Sequence, residues 1–154
     1  MEMPKPTAGH RKLESFAGIW KGKETMHPSP FDPKGGVAVG TTHARIALGG
    51  FAIVGDYEQV RDGKKSYEGH AVYTWDPNAN DVVLHWFDCM GMGVDEFRGA
   101  WKDATIQFQC ENAMGLWRLS YDLSKPGKLA SRMESSQDGT KWATLFDAAY
   151  ERAD

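Results

Sequence analysis

Ionisable side chains recur at two-residue spacing in the first half of the chain: His43 and Arg45 in "TTHARIA", Asp56 and Glu58 in "VGDYEQV", then His85 in "VLHWFD". In extended backbone alternate residues share a face, so each pair projects to one side of its strand. If Gly49-Gly50 makes a two-residue turn, His43 falls opposite Asp56, Arg45 opposite Val54 and Thr41 opposite Glu58. Carrying the register through the next two turns adds Ala71 and His85 to the row. Apolar residues on the same face, Val54, Tyr73, Trp75 and Phe87 among them, argue that it points inward. Charges are costly to bury unless paired or hydrated, so the row predicts a polar pocket. A histidine beside a carboxylate is the usual arrangement of a general acid or base, because the carboxylate orients the ring and shifts its titration. His85 and Asp56 are the proton-handling pair in that reading. A slip of one residue would expose the whole row and turn Ile46, Tyr57, His70, Trp86 and Asp88 inward instead. The charges would then be cross-strand pairs worth about 0.2–1 kcal/mol each.

Glu24 stands apart, on the face that "FAGIWKGKETM" shares among Phe16, Trp20 and Met26 while Lys21 and Lys23 take the other. The stretch after it, "MHPSPFDPKGG", holds Pro28, Pro30 and Pro33, which fix φ and lower the entropy of ordering a loop. Residues 27–35 are therefore expected to form a stiff flap at the mouth of whatever the strands enclose, with His27 at its hinge with the first strand. A second loop, "DCMGMGVDE", sets Met90 and Met92 between glycines, a flexible, polarizable pair suited to apolar ligands or to anchoring the loop on a rim. The expected ligand-binding set is Glu24, His27, His43, Arg45, Asp56, Glu58, Tyr73 and His85.

The elements that would carry these residues are short strands. Thr7 can cap a helix running through Leu13 to Phe16. After it, strands are expected over 16–26, 37–48, 51–61, 66–75, 81–88, 96–102, 105–111, 115–123, 129–136 and 141–151. Their connections carry hairpin chemistry, including Asp62-Gly63, Asp76-Pro77-Asn78, Pro126-Gly127 and Asp138-Gly139. About ten consecutive antiparallel strands without crossover helices leave two sheet edges, and closing the sheet removes both. The fold class expected is all-β: an antiparallel up-and-down barrel or half-barrel of lipocalin type with a short N-terminal helix, a flattened sandwich being the alternative. The second half supplies an apolar wall from Phe97 and Trp101 through Trp117 and Tyr121 to Trp142 and Tyr150.

A chain of 154 residues suits a single domain over 1–154 that buries about two-thirds of its unfolded surface. The net charge of −3 is spread without a basic cluster, which argues against nucleic acid as a partner. No apolar run reaches the roughly 20 residues of a membrane-spanning helix, and the N-terminus lacks a signal-peptide core. The expectations are a cytoplasmic location, no membrane partner, and Cys89 and Cys110 as free thiols. Short metal motifs, phosphate loops, dinucleotide fingerprints and nucleophile elbows are absent, so no metal and no cofactor is expected.

Together, "LESFAGIWKGKETMHPSPFDPKGG", "YEGHAVYTWDP", "VLHWFDCMG" and "SQDGTKWATLFDAAYER" resemble the bacterial family catalogued as domain of unknown function 1579, over nearly the whole chain. The resemblance implies a lipocalin-like barrel and no established reaction, so it brings no catalytic residue. Gly18, Trp20 and Gly22 are also similar to the first strand of calycins and nitrobindin-like haem proteins. Those haem barrels carry their iron-binding histidine late in the chain, and here no histidine follows His85. Two functions are expected as alternatives: a binding protein whose barrel holds a small, partly apolar molecule, or an acid–base enzyme (isomerase, lyase or hydrolase) acting on a small carbonyl or hydroxylated compound. A homodimer is a possible assembly.

Overall fold

Alternating burial along each strand sets the architecture. In the computed structural model, which describes residues 1–154, the chain forms one helix and eleven strands. They are α1 (Ala8–Lys12), β1 (Gly18–Met26), β2 (Gly36–Ala47), β3 (Ala52–Arg61), β4 (Lys64–Asp76), β5 (Asp81–Asp88), β6 (Asp95–Gly99), β7 (Trp101–Lys102), β8 (Thr105–Asn112), β9 (Gly115–Asp122), β10 (Lys128–Ser136) and β11 (Ala143–Arg152). Strands consecutive in the chain pair antiparallel, except that β6 and β7 both lie against β8, and β1 pairs with β11, Trp20 opposite Arg152 through Met26 opposite Phe146. The result is a closed ten-stranded up-and-down barrel. The short β7 continues the line of β6 past Ala100 and keeps its register on β8. The half-barrel and the sandwich are thereby excluded.

One end of the barrel is plugged. The helix starts at Thr7, whose backbone amide donates to His10 Nδ1 at 3.0 Å, and runs only five residues before a 3-10 turn takes over at Leu13–Phe16. That turn drives the fully buried Leu13 and the nearly buried Phe16 into the barrel. Phe16 stacks between Tyr73 (ring centroids 4.5 Å) and Trp101 (5.3 Å). The Trp20 indole donates to the Phe16 carbonyl at 3.0 Å, and the Arg152 guanidinium sits 4.4 Å over the Trp20 ring while donating to the Ala17 carbonyl. First and last strands are thus stitched to the plug. The core, including Ile53, Leu84, Phe97 and Phe108, lies just beyond it.

Two register features decide which side chains face inward, and both depart from the sequence expectation. Asp62 (φ 51°) and Gly63 (φ 75°) make the two-residue β3–β4 turn as anticipated. Beyond it, Val60 pairs with Lys65 but Gln59 pairs with Tyr67, so Ser66 is an extra residue, a β-bulge. The bulge changes the parity of the rest of β4: Tyr67, Gly69, Ala71 and Tyr73 share the inward face with Tyr57, while His70 faces outward with Asp56. The next turn has four residues, 77–80, and Asp76 pairs with Asp81, so Leu84, Trp86 and Asp88 point in and His85 points out. A further correction concerns Trp142, which lies outside on the Arg118 guanidinium, 4.0 Å from its ring centre, rather than in the apolar wall.

Candidate functional site

Above the plug the barrel encloses a cavity of about 710 Å³. Its walls are mainly aromatic and aliphatic, among them Trp86, Phe97, Trp117, Leu119 and Phe146. The mouth lies between the 27–35 loop, which contributes Phe31 and Asp32, the 89–94 loop, which contributes Met90, Met92 and Gly93, and the β8–β9 turn with Met114. The flap expectation for 27–35 therefore matches its position. Its backbone is bonded on itself, Ser29 N–H to the Asp32 carbonyl at 2.9 Å and Asp32 N–H back to Ser29 at 3.1 Å. Arg61, at the end of β3, ties it down by donating to Asp32 Oδ2 (2.9 Å) and to the Gly35 carbonyl (2.6 Å). Phe31 leans on Trp117, ring centroids 5.5 Å apart.

Glu24 is the most unusual group in this interior. It projects inward from β1, is 1% exposed, and has no cation within ion-pairing distance. A buried carboxylate is tolerable only if its oxygens are hydrogen-bonded. Here Tyr57 Oη donates to it at 2.6 Å, Gln59 Nε2 at 3.0 Å, and Tyr150 Oη makes a third bond. Gln59 is itself held by Ser66 Oγ at 2.9 Å, so the bulge residue reaches the network. Gly40 on β2 makes room, since a Cβ there would stand 2.3 Å from Glu24 Oε2. Burial, reinforced by the Glu24 charge, pushes the Tyr57 and Tyr150 phenols well above their ordinary range, which keeps them protonated donors.

Nearer the mouth a second carboxylate is built into the wall. Asp88 Oδ2 accepts from Tyr67 Oη and, at 3.0 Å, from the Trp86 indole, while Oδ1 accepts from the Met90 amide at 3.0 Å and so starts the 89–94 loop. Burial, then the bond to Asp88, raises the Tyr67 phenol. Trp86 lies across Gly69, where a Cβ would stand 2.1 Å from the indole. Tyr57, Tyr67 and Trp86 form a continuous aromatic wall with centroids 5.9–6.4 Å apart. On the adjacent β6, Asp95, the cross-strand partner of Trp86, accepts from Asn112 Nδ2 at 3.2 Å, and Asn112 Oδ1 accepts from the Trp117 indole at 2.8 Å.

Of the expected site residues, the structure places Glu24 and Tyr73 inside. Tyr73 is deep against the plug, its hydroxyl 3.0 Å from that of Tyr121. His27 sits at the foot of the flap, its Nε2 2.8 Å from Asp147 Oδ2, outside the cavity. The row of His43, Arg45, Asp56, Glu58 and His85 is on the outer wall, for the parity reasons given above. There His70 Nδ1 lies 2.8 Å from Asp56 Oδ1, and His85 Nε2 lies 3.2 Å from Glu96 Oε1. The pairing of His85 with Asp56 is not formed. His43, Asp56, Glu58 and His70 border an open outer groove. No group of three metal-ligating side chains is brought together. The sequence reading missed Tyr57, Gln59 and Tyr150 as partners of Glu24, although the alternative row contained Tyr57, Trp86 and Asp88, and the parity of β1 placed Glu24 correctly.

No helix of the chain is long and apolar enough to cross a membrane. No curated protein matches the chain. Among solved structures, that described as "Crystal Structure of Rv2717c from M. tuberculosis" is similar in fold, with a TM-score of 0.72, 14% sequence identity, and coverage of 96% of this chain and 99% of that one. The description "Protein of unknown function (DUF1579)" matches over residues 5–152, and with nearly the whole barrel inside that match the chain belongs to the DUF1579 family.

Proposed function

We propose that the protein binds a small, partly apolar molecule inside its barrel, admitted between the 27–35 flap and the 89–94 loop. The observation that carries this reading is the cavity itself: about 710 Å³, mostly apolar, with one deeply buried, fully hydrogen-bonded carboxylate in its wall. That volume is within the roughly 300–1,000 Å³ of small-molecule sites, and a few polar anchors on an apolar concavity are their usual chemistry. Eight strands enclose an interior that side chains can just fill, and the ten here make a wider cylinder with room for a small molecule.

The test uses a neutral apolar fluorophore, N-phenylnaphthylamine, whose emission rises on transfer from water. It is expected to bind with one-to-one stoichiometry, and Ala44→Phe, which narrows the lumen, is expected to abolish the signal with the circular dichroism of the barrel intact. Leu129→Trp serves the same purpose from β10, three strands away. Binding unaffected by both folded variants would place the probe elsewhere and overturn the reading.

A further inference from the structure

The polar groups of the cavity have a consistent direction. Four carboxylates line it, Glu24, Asp32, Asp88 and Asp95, against a single guanidinium, Arg61, and neither lysine nor histidine is among the lining residues. Arg61 is committed to Asp32 and the Gly35 carbonyl. The strong donors are likewise engaged by the protein: Tyr57 and Tyr150 on Glu24, Tyr67 and Trp86 on Asp88, Trp117 on Asn112. With their protons turned to the carboxylates, the phenol oxygens of Tyr57 and Tyr150 have only lone pairs left to offer. An anionic ligand would meet fixed negative charge and find only the neutral hydroxyls of Thr42 and Ser131 free to donate to it. A cation would meet acceptors, net negative charge and aromatic rings at once.

The aromatic wall strengthens the argument because it lies between the buried Glu24 and the partly buried Asp88. Tyr57 is bonded to Glu24, Tyr67 and Trp86 are bonded to Asp88, and the three rings adjoin one another. Aromatic faces attract ammonium groups most strongly where water is excluded, and rings grouped in this way are the recognised device for methylated ammonium ligands. Phe97, Leu84 and Leu119 supply an apolar surface farther toward the plug.

We propose that the ligand class of this cavity is an organic cation, an alkylammonium whose head group rests on Tyr57, Tyr67 and Trp86 between Glu24 and Asp88 and whose hydrocarbon body extends toward Leu84, Phe97 and Leu119. The inference rests on the proposed binding function and adds its charge selectivity. Isothermal titration of the full chain with octyltrimethylammonium, octanol and octanoate, matched in chain length and kept below micelle formation, tests it. The ammonium is expected to bind about tenfold more tightly than octanol, the factor that cation–π and charge contacts of this kind supply, and octanoate is expected to bind least. Glu24→Gln and, independently, Asp88→Asn are expected to bring the ammonium and the alcohol to within about threefold of each other, since each removes one of the flanking charges. Octanol or octanoate binding as tightly as the ammonium would overturn the charge selectivity while leaving the cavity's binding role standing. Failure of all three to bind would overturn both.

Discussion

Glu24 shows how one side chain organises its surroundings. Its oxygens are the shared acceptor of three residues from two other strands, so removing it leaves buried donors without partners, each at a cost of about 1–3 kcal/mol. Glu24→Ala is expected to lower stability by about 2–3 kcal/mol in urea unfolding, and Glu24→Gln, which keeps one acceptor oxygen, by less. An unchanged midpoint for Glu24→Ala would contradict the network. The two thiols provide a second test. Cys89 is exposed, whereas Cys110 is buried and desolvation pushes its thiol up to about 11. A thiol reagent at mildly alkaline pH is expected to modify Cys89 in the folded protein and Cys110 only after unfolding. Asp138 gives the pH dependence. Its carboxylate accepts from the backbone amides of Lys141 and Thr140, which lowers it from 3.8 to about 2. Because the folded value is depressed, the contribution is complete above the ordinary value of 3.8 and is lost as pH falls through about 2. Carboxyl chemical shifts of Asp138 are expected to titrate there, and a midpoint near 3.8 would show that the cap does not form.

At the scale of elements, loop anchoring and strand parity matter most. The flap is fastened by Arg61, a partly buried guanidinium that bonds both its middle and its end. Arg61→Ala is expected to speed hydrogen exchange of 29–35 severalfold while exchange in β2 and β3 stays unchanged, because the loop's own Ser29–Asp32 bonds are local and the strands keep their ladders. The number of strands, their order and nearly all the turns could be read from the sequence, since alternation and Asn, Asp and Gly turn residues report directly on local backbone. So could the inward face of β1. What could not be read was the bulge at Ser66, which no residue type in "DGKKSYEG" announces, and the true length of the turn after Asp76. In a sheet one unseen residue inverts every side chain beyond it. His85 was consequently expected inside and Tyr57 outside, so the carboxylate network went unrecognised even though Glu24 and Tyr150 were both expected on inward faces.

For the whole molecule, closure is the dominant fact. Each wall strand has two neighbours, the short β7 only extending β6 along β8, and the first strand is paired with the last over seven residues, so the two ends of the chain hold the cylinder shut from the plug to the foot of the flap. The seam between β6 and β8 is joined less evenly. Between β6 and β8 the ladder contains one pair, Arg98 with Gln109, before β7 resumes it with Trp101 and Ile106, whereas β2 and β3 share nine. Those amides of 95–97 and 110–112 that face the β6–β8 seam, and not those bonded to β5 and β9, are expected to exchange with solvent sooner than the amides of β2 and β3, a difference that residue-resolved exchange would reveal. Closer to the mouth, Asp95 and Asn112 are joined by a side-chain hydrogen bond, and Asn112 also holds Trp117. The staves of this cask are therefore held along one short seam beside its opening by a side-chain latch instead of a backbone ladder. Undoing that latch would widen the doorway sideways, letting a bulky guest pass Trp117 without lifting the proline-stiffened flap.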